Sequence, residues 1–445
     1  MSSKRLATNN NQLPEGYKKT EIGVIPEDWD VVTLGNIGQS LIGLTYKPEN
    51  IRNYGTLVLR SSNIKDNKLT YNDNVYIDDK LSLPSRVIVE EGDILVCVRN
   101  GSRQLIGKCA LIDSVAAGSA FGAFMSVFRT KVYEFVFYQF QSDEIKKQIN
   151  EIMGATINQI TNKDLNAFQI SVPPSEQEQK AIAQTLSDVD ALIAALDKHI
   201  AKKRNIKTGT MQQLLTGKTR LPGFGEGKGY KKSAIGVSPE DWEVVLLSKL
   251  SHIATGQTPP TKNRNYYGYE YLFVSPADMG NAKYIINTLK KLSKLGFFIC
   301  RIYPPMSILF TCIGSTIGKC GIVTSESTSN QQINAIFPSE LVNNEYLYYQ
   351  LVRSAHRIKS KAGEQAVPIV NKTEFGATLV LVCSIEEQKA IAQVLSDIDT
   401  EITALEKRRA KTQAIKQGMM QELLTGRTRL KIEHPDDPIT KNSNG

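Results

Sequence analysis

Two glycine-lysine turns, Gly101 to Cys109 and Gly314 to Cys320, are the first places in this sequence where chemistry could be sought. A phosphate-binding loop of the form G-x-x-x-x-G-K-[ST] wraps a phosphate in backbone amides and holds magnesium with its hydroxyl. The first turn has five residues between its glycines and the second has three, and both carry cysteine where the hydroxyl belongs. Both therefore read as punctuation between strands. The six cysteines, Cys97, Cys109, Cys300, Cys312, Cys320 and Cys383, fall mostly in apolar runs without a C-x-x-C pair, and there are only four histidines. Buried reduced thiols are expected, with no metal site. His199 and His356 sit in basic helical stretches and His434 in a polar tail, so general acid-base catalysis has little to recruit. An Asn-Pro-Pro-Tyr amino-methyltransferase motif, a glycine-rich methyl-donor loop and a nuclease-like acidic-basic cluster are all missing, so no catalytic residues are assigned.

The residue types suit another task, the reading of base edges. Arg and Lys can hydrogen-bond guanine, Asn and Gln can grip adenine, and Ser and Thr serve either. Polar loops of the first half offer Arg60, Ser62, Asn63, Arg99, Asn100, Ser102 and Arg103. Those of the second half offer Lys262, Arg264, Tyr266, Ser275, Asp278, Ser315, Thr316, Asn330 and Gln331. A net charge of +9 favours an anionic partner.

These loops must be positioned by a frame, and the frame is written twice. YKKTEIGVIPEDWDVVTL from Tyr17 returns as YKKSAIGVSPEDWEVVLL from Tyr230, 213 residues later. QKAIAQTLSDVD from Gln179 returns as QKAIAQVLSDID from Gln388, and MQQLLTGKTRL from Met211 as MQELLTGRTRL from Met420. A period above 200 residues is too long for a solenoid, so each copy is a whole domain with its connector. Between the matched segments, residues 36 to 170 and 249 to 380 share only scattered positions: a duplicated frame holds two different inserts.

The connector is helical. Ser175 with Glu178, and Ser384 with Glu387, read as capping boxes. Apolar residues then step by four and three through Ile182, Leu186, Val189, Ile193, Leu196 and Ile200, and again through Ile391, Leu395, Ile398, Ile402 and Leu405, as a helix-pairing seam requires. Gly217 and Gly426 end the runs, giving rods of about 60 Å that should pair antiparallel. Ala181, Ala183, Ala191, Ala194, Ala195, Ala390, Ala392 and Ala404 widen the stripe enough for a partner to dock. The basic second halves, Lys198, Lys202, Lys203, Arg204 and Lys207, and Lys407, Arg408, Arg409, Lys411 and Lys416, are solvated faces or phosphate-facing ones. In the inserts, GDILVCVRNGS from Gly92 and MSILFTCIGST from Met306 read as strands entering polar loops, and Tyr346 to Ala362 as helix, which makes each insert an α/β (α+β) globule.

The expected organisation is a flexible tail (1–16), a first variable domain (17–170), a long helical connector (171–221), a linker (222–229), a second variable domain (230–380), a second helical connector (381–430) and a flexible tail (431–445). The polar start and the absence of a long apolar run suggest a cytoplasmic protein without a membrane role.

The paired runs PPSEQEQKAIAQTLSDVD with MQQLLTGKTRL and CSIEEQKAIAQVLSDID with MQELLTGRTRL resemble the helices of type I restriction-modification specificity subunits. IGVIPEDWDVVTL, IGVSPEDWEVVLL and ATGQTPPT from Ala254 are similar to that family as well, and the resemblance spans Tyr17 to Leu430. It implies that the two variable domains are target-recognition domains, each reading half of a split double-stranded DNA site, with the connectors as spacer helices that act as ruler and as docking surface for two methyltransferase (modification) subunits. Restriction/translocase subunits would join for cleavage, and the methyl donor, ATP and magnesium would belong to those partners, with no cofactor on this chain. One departure is visible, since SNQQINAI from Ser329 stands where the first half has GSAFGAFM from Gly118. A rival reading is a helical scaffold whose inserts bind a ligand other than DNA.

Overall fold

A computed structural model of the chain describes residues 13–153, 159–280, 282–363 and 367–431. His434 and the greater part of both terminal tails lie outside the described residues. The chain forms two compact units, Met1–Leu196 with Arg408–Gly445, and Asp197–Lys407.

In the first unit the run Ile94–Cys97 is buried along its whole length. Such a strand needs a neighbour on each edge, and it lies between Cys109–Leu111 and Met125–Thr130, with Gly38–Ile42 beyond, all antiparallel. A smaller sheet carries Ala120–Phe121 parallel to Thr56–Leu59, followed by Tyr76–Ile77 and Ile51–Arg52. The second unit repeats the plan. Ile308–Thr311 lies between Ile333–Ile336 and Cys320–Val323, and Ser327–Ser329 runs parallel to Tyr271–Val274 in the smaller sheet. Helix Asn344–Lys359 begins on an Asn343 cap and packs on the larger sheet's core through Tyr346, Leu347 and Leu351. The mixed α/β (α+β) reading of the inserts therefore describes both units, and the two glycine-lysine turns do join strands.

Helices Glu176–Leu214 and Ile385–Leu423 are each 39 residues long and each contributes to both units. In the second unit Lys203 pairs with Glu401, Lys207 with Asp399 at 2.5 Å and Arg204 with Glu406 at 2.6 Å, so the two segments run antiparallel. Lys416 pairs with Asp190 at 2.7 Å in the first. Lys203, Arg204, Lys207 and Lys416 are thus engaged within the protein, which corrects their phosphate-facing alternative.

The apolar seam is divided between two jobs. Ile182 and Leu186 enter the first unit's core with Met420, Leu423 and Leu424, and Ile391 and Leu395 enter the second's with Met211, Leu214 and Leu215. Further along, Ile193, Leu196, Ile200 and Ile402 are buried, and Val189, Ile398 and Leu405 are half-buried. The opening turns of each seam therefore build domain core, which periodicity alone does not distinguish from helix pairing. Ala183 and Ala392 join these cores, Ala181, Ala194 and Ala390 are half-buried, and Ala191, Ala195 and Ala404 are exposed.

The repeated motifs meet in a latch. In the second unit the Arg220 guanidinium grips Glu387 at 2.6 and 2.8 Å and Asp241 at 2.9 and 2.8 Å, above the buried Trp242. In the first, Arg429 grips Glu178 at 2.5 and 2.7 Å and Asp28 at 2.9 and 3.1 Å, above Trp29. Gly217 and Gly426 have φ +68°, and an added Cβ would meet Pro239 Cγ at 2.3 Å and Pro26 Cγ at 2.5 Å. Glycine ends the helix and also lets the next turn close on the Pro-Glu-Asp-Trp segment. The two glutamates expected in capping boxes serve this latch instead, although the Ser384 hydroxyl does accept the Glu387 amide at 3.3 Å.

Candidate nucleic-acid interface

In each unit three segments are tied to a fourth by the same backbone bonds. In the first, Leu44 N–H donates to Phe121 O at 2.7 Å, Gly122 N–H to Leu59 O at 3.0 Å and Val98 N–H to Phe124 O at 3.1 Å. In the second, Gln257 N–H donates to Ser329 O at 2.9 Å, Asn330 N–H to Val274 O at 3.1 Å and Cys312 N–H to Gln332 O at 2.8 Å. The close approach requires glycine at matching places: a Cβ on Gly43 would stand 2.2 Å from Gly122 O, and one on Gly256 2.0 Å from Asn330 O. These bonds pair Gly122 with Asn330, whereas the sequence comparison had set Gly118 against Ser329.

On this common cage the side chains differ. Equivalent positions carry Arg60 and Ser275, Arg99 and Ile313, Asn100 and Gly314, Ala123 and Gln331, and Phe124 and Gln332. In the first unit a recess of about 490 Å³ is lined by Thr45, Tyr46, Arg60, Ser62 and Phe124. The Arg99 guanidinium sits 5.2 Å from the Phe124 ring centre, and Asn100 Nδ2 donates to Ser61 Oγ at 3.2 Å. Ser102, exposed, is tied to this loop through its N–H on Asn100 Oδ1 at 2.9 Å. In the second unit Thr258 Oγ1 donates to Gln331 Oε1, and Asn330 Nδ2 to Gln332 Oε1 at 2.9 Å. The first unit thus carries a cationic and aromatic surface at this place and the second an amide-rich one.

Some candidates chosen by residue type do other work. Asn63 is fully buried, accepting the Arg60 N–H at 3.0 Å and donating to Thr70 O at 3.0 Å, so it cannot reach a base. Asp278 occupies the equivalent place: Oδ2 accepts the Ser275 amide and hydroxyl, and Oδ1 accepts the Leu289 amide at 2.7 Å. Both are capping residues of a short turn, and Ser275 donates its hydroxyl to that turn. Arg103 points to Asn150 O at 3.3 Å, away from the cage. Ser315 and Thr316 line a separate groove of about 1370 Å³ with Lys283, Tyr348 and Lys407. Lys262 and Arg264 are exposed and Tyr266 half-buried on the loop that follows Pro259, whose carbonyl is held by the Tyr267 hydroxyl at 3.0 Å.

Phe124, Tyr46, Gln257, Thr258 and Gln332 belong to the cage and escaped selection. A signal for it existed in the repeat of Gly-x-Thr, Gly43-Leu44-Thr45 against Gly256-Gln257-Thr258. Burial raises the thiol pKa of Cys97 to about 11 and of Cys109 and Cys312 to about 12, which keeps these cysteines beneath the loops neutral. Among the described residues no group of His, Cys, Asp or Glu is arranged to hold a metal ion, and no helix is long and apolar enough to cross a membrane.

The family profile described as type I restriction modification DNA specificity domain matches residues 26–204 and again 239–417. A Methanocaldococcus jannaschii chain bearing the name MjaX specificity subunit is 31% identical over 94% of this chain and 97% of its own length. The MjaVIII specificity subunit of the same organism is 27% identical, again over 94% and 97%. Among solved structures, the type I restriction-modification S subunit from M. genitalium shares the fold with TM-score 0.55 at 16% identity, covering 96% of this chain and 99% of that one.

Proposed function

Because this chain belongs to the family of type I restriction-modification DNA specificity domains, with two copies in tandem, we propose that each cage reads one half of a split duplex site. DNA sequence recognition by two domains is the role of the subunit, and chemistry is left to other chains. The observation that carries the half-site assignment is the cage itself, one backbone dressed with two unlike sets of side chains. Unlike surfaces on a shared scaffold recognise unlike sequences, so the whole site should be asymmetric.

In this reading the exposed small residues of the long helices, Ala191, Ala195 and Ala404, form part of the docking surface for two modification subunits. Restriction/translocase subunits join that assembly. Methyl donor, ATP and magnesium belong to those partners, and this chain supplies address and spacing. The helices, about 60 Å each, set the unread gap between half-sites. Mapping methylated bases in cells that carry the chain with its modification subunits tests the proposal. A bipartite asymmetric motif is expected, and a palindromic or contiguous one would refute it.

A further inference from the structure

The two cages differ in the chemistry that they offer a base edge. Three arginines stand near the first cage, and two of them are engaged: Arg60 pairs with Asp73 at 3.2 Å and Arg103 donates to Asn150 O. Arg99 has no ion-pair or hydrogen-bond partner for its guanidinium among the described residues. Its backbone N–H and that of Val98 both donate to Phe124 O at 3.1 Å, and its fork lies against the exposed Phe124 ring. A fork anchored at its root and supported on one face loses little freedom when it binds, and it matches the O6 and N7 acceptors of guanine. The second cage has Ile313 at that position and cannot make this contact.

The reverse holds for Gln331. Thr258 donates to its carbonyl oxygen, which fixes the amide plane while leaving a second lone pair, and no hydrogen bond among the described residues occupies its Nε2. Such an amide matches the N6 donor and N7 acceptor of adenine. The first cage has a threonine at the matching place, Thr45, but Ala123 where the amide would be. We infer that Arg99 reads a guanine in one half-site and Gln331 an adenine in the other, an assignment that rests on the half-site reading above.

The test uses the full chain assembled with its modification subunits and a panel of duplexes in which each base pair of the mapped site is replaced in turn. Arg99→Ala should abolish a preference of about 5- to 150-fold for guanine at one position of one half-site and leave the other half-site unchanged. Gln331→Ala should do the same for one adenine in the other. Arg99→Gln, which keeps a hydrogen-bonding side chain over Phe124, should move the preference from guanine toward adenine. Uniform weakening across the panel, with the salt slope reduced by about one, would make Arg99 a phosphate contact and overturn the assignment. Undiminished discrimination in both alanine variants would overturn it as well. Absence of sequence-specific binding by the unmodified assembly would instead bring down the half-site reading itself.

Discussion

Replacing Arg429 with alanine removes the cation that closes the first unit. Its two carboxylate partners are not equal, because the Glu178 side chain is 3% exposed and that of Asp28 is 53% exposed. Losing the Asp28 arm should cost about 0–1 kcal/mol, the range of solvent-screened pairs. Losing the Glu178 arm leaves a buried carboxylate without its counter-ion, at about 3–5 kcal/mol. Arg429 is itself 40% exposed, which argues for the low end, near about 3 kcal/mol in total. The chain has two tryptophans, one beneath each latch, so a Trp242→Phe background leaves Trp29 to report the first unit alone. With a urea slope of about 2–3 kcal/mol/M, the unfolding midpoint followed by Trp29 fluorescence should fall by about 1 M or slightly more. Glu178→Gln should then cost much less in the Arg429→Ala background than alone, since the uncompensated charge is removed. A midpoint shift below about 0.3 M, or equal effects from Asp28→Ala and Arg429→Ala, would refute the argument that burial of Glu178 sets the magnitude.

Gly43→Ala should deform only the first cage, and Gly256→Ala only the second, so each should abolish recognition of one half-site in a duplex-binding assay while circular dichroism stays near that of the parent. All six thiols are buried, so at pH 8 they should react with a thiol reagent only after denaturation, and a fast-reacting thiol in the native chain would contradict this. Asp241 is held below its ordinary value of 3.8, chiefly by hydrogen bonds from Arg220, and Asp143 likewise, chiefly by one from Gln421. A carboxylate whose folded pKa is depressed stabilises the fold above its unfolded value, and that contribution disappears as pH falls through the folded one. Urea midpoints of Asp241→Asn and the parent should therefore converge as pH falls below about 4, and a constant difference down to about pH 2 would argue against it. Adding one matched helical turn, about 5.4 Å, to both long helices should widen the unread gap by one or two base pairs and leave each half-site intact, as read by methylation mapping.

The frame was legible because packing repeats where sequence repeats. The Pro-Glu-Asp-Trp and Thr-Gly-x-Thr-Arg-Leu segments stand out twice since each must fit the other around a buried tryptophan, and Ile182, Leu186, Ile391 and Leu395 advertise their burial by spacing. The latch was not legible, because it joins residues as distant as Asp28 and Arg429. The cage was only partly so. Arg99 and Gln331 were chosen from residue type, but so were Asn63 and Asp278, and nothing local separates a side chain that caps its own turn from one that faces outward. The alignment of the inserts failed for a related reason: their shared feature is a set of backbone bonds, to which side chains contribute little except glycine at Gly43 and Gly256.

The contact of the Tyr17 hydroxyl with Gly426 O at 3.1 Å places the beginning and the end of the described chain side by side in one unit, much as Tyr230 and Gly217 meet in the other at 3.0 Å. The second junction is continuous and the first is open, yet the same groups meet at both. The closure of each repeat therefore depends on those contacts and not on a covalent link between the groups that meet. A rearranged chain opening near Tyr230 and joining Arg429 to Tyr17 through a short linker should close the same latch in each unit.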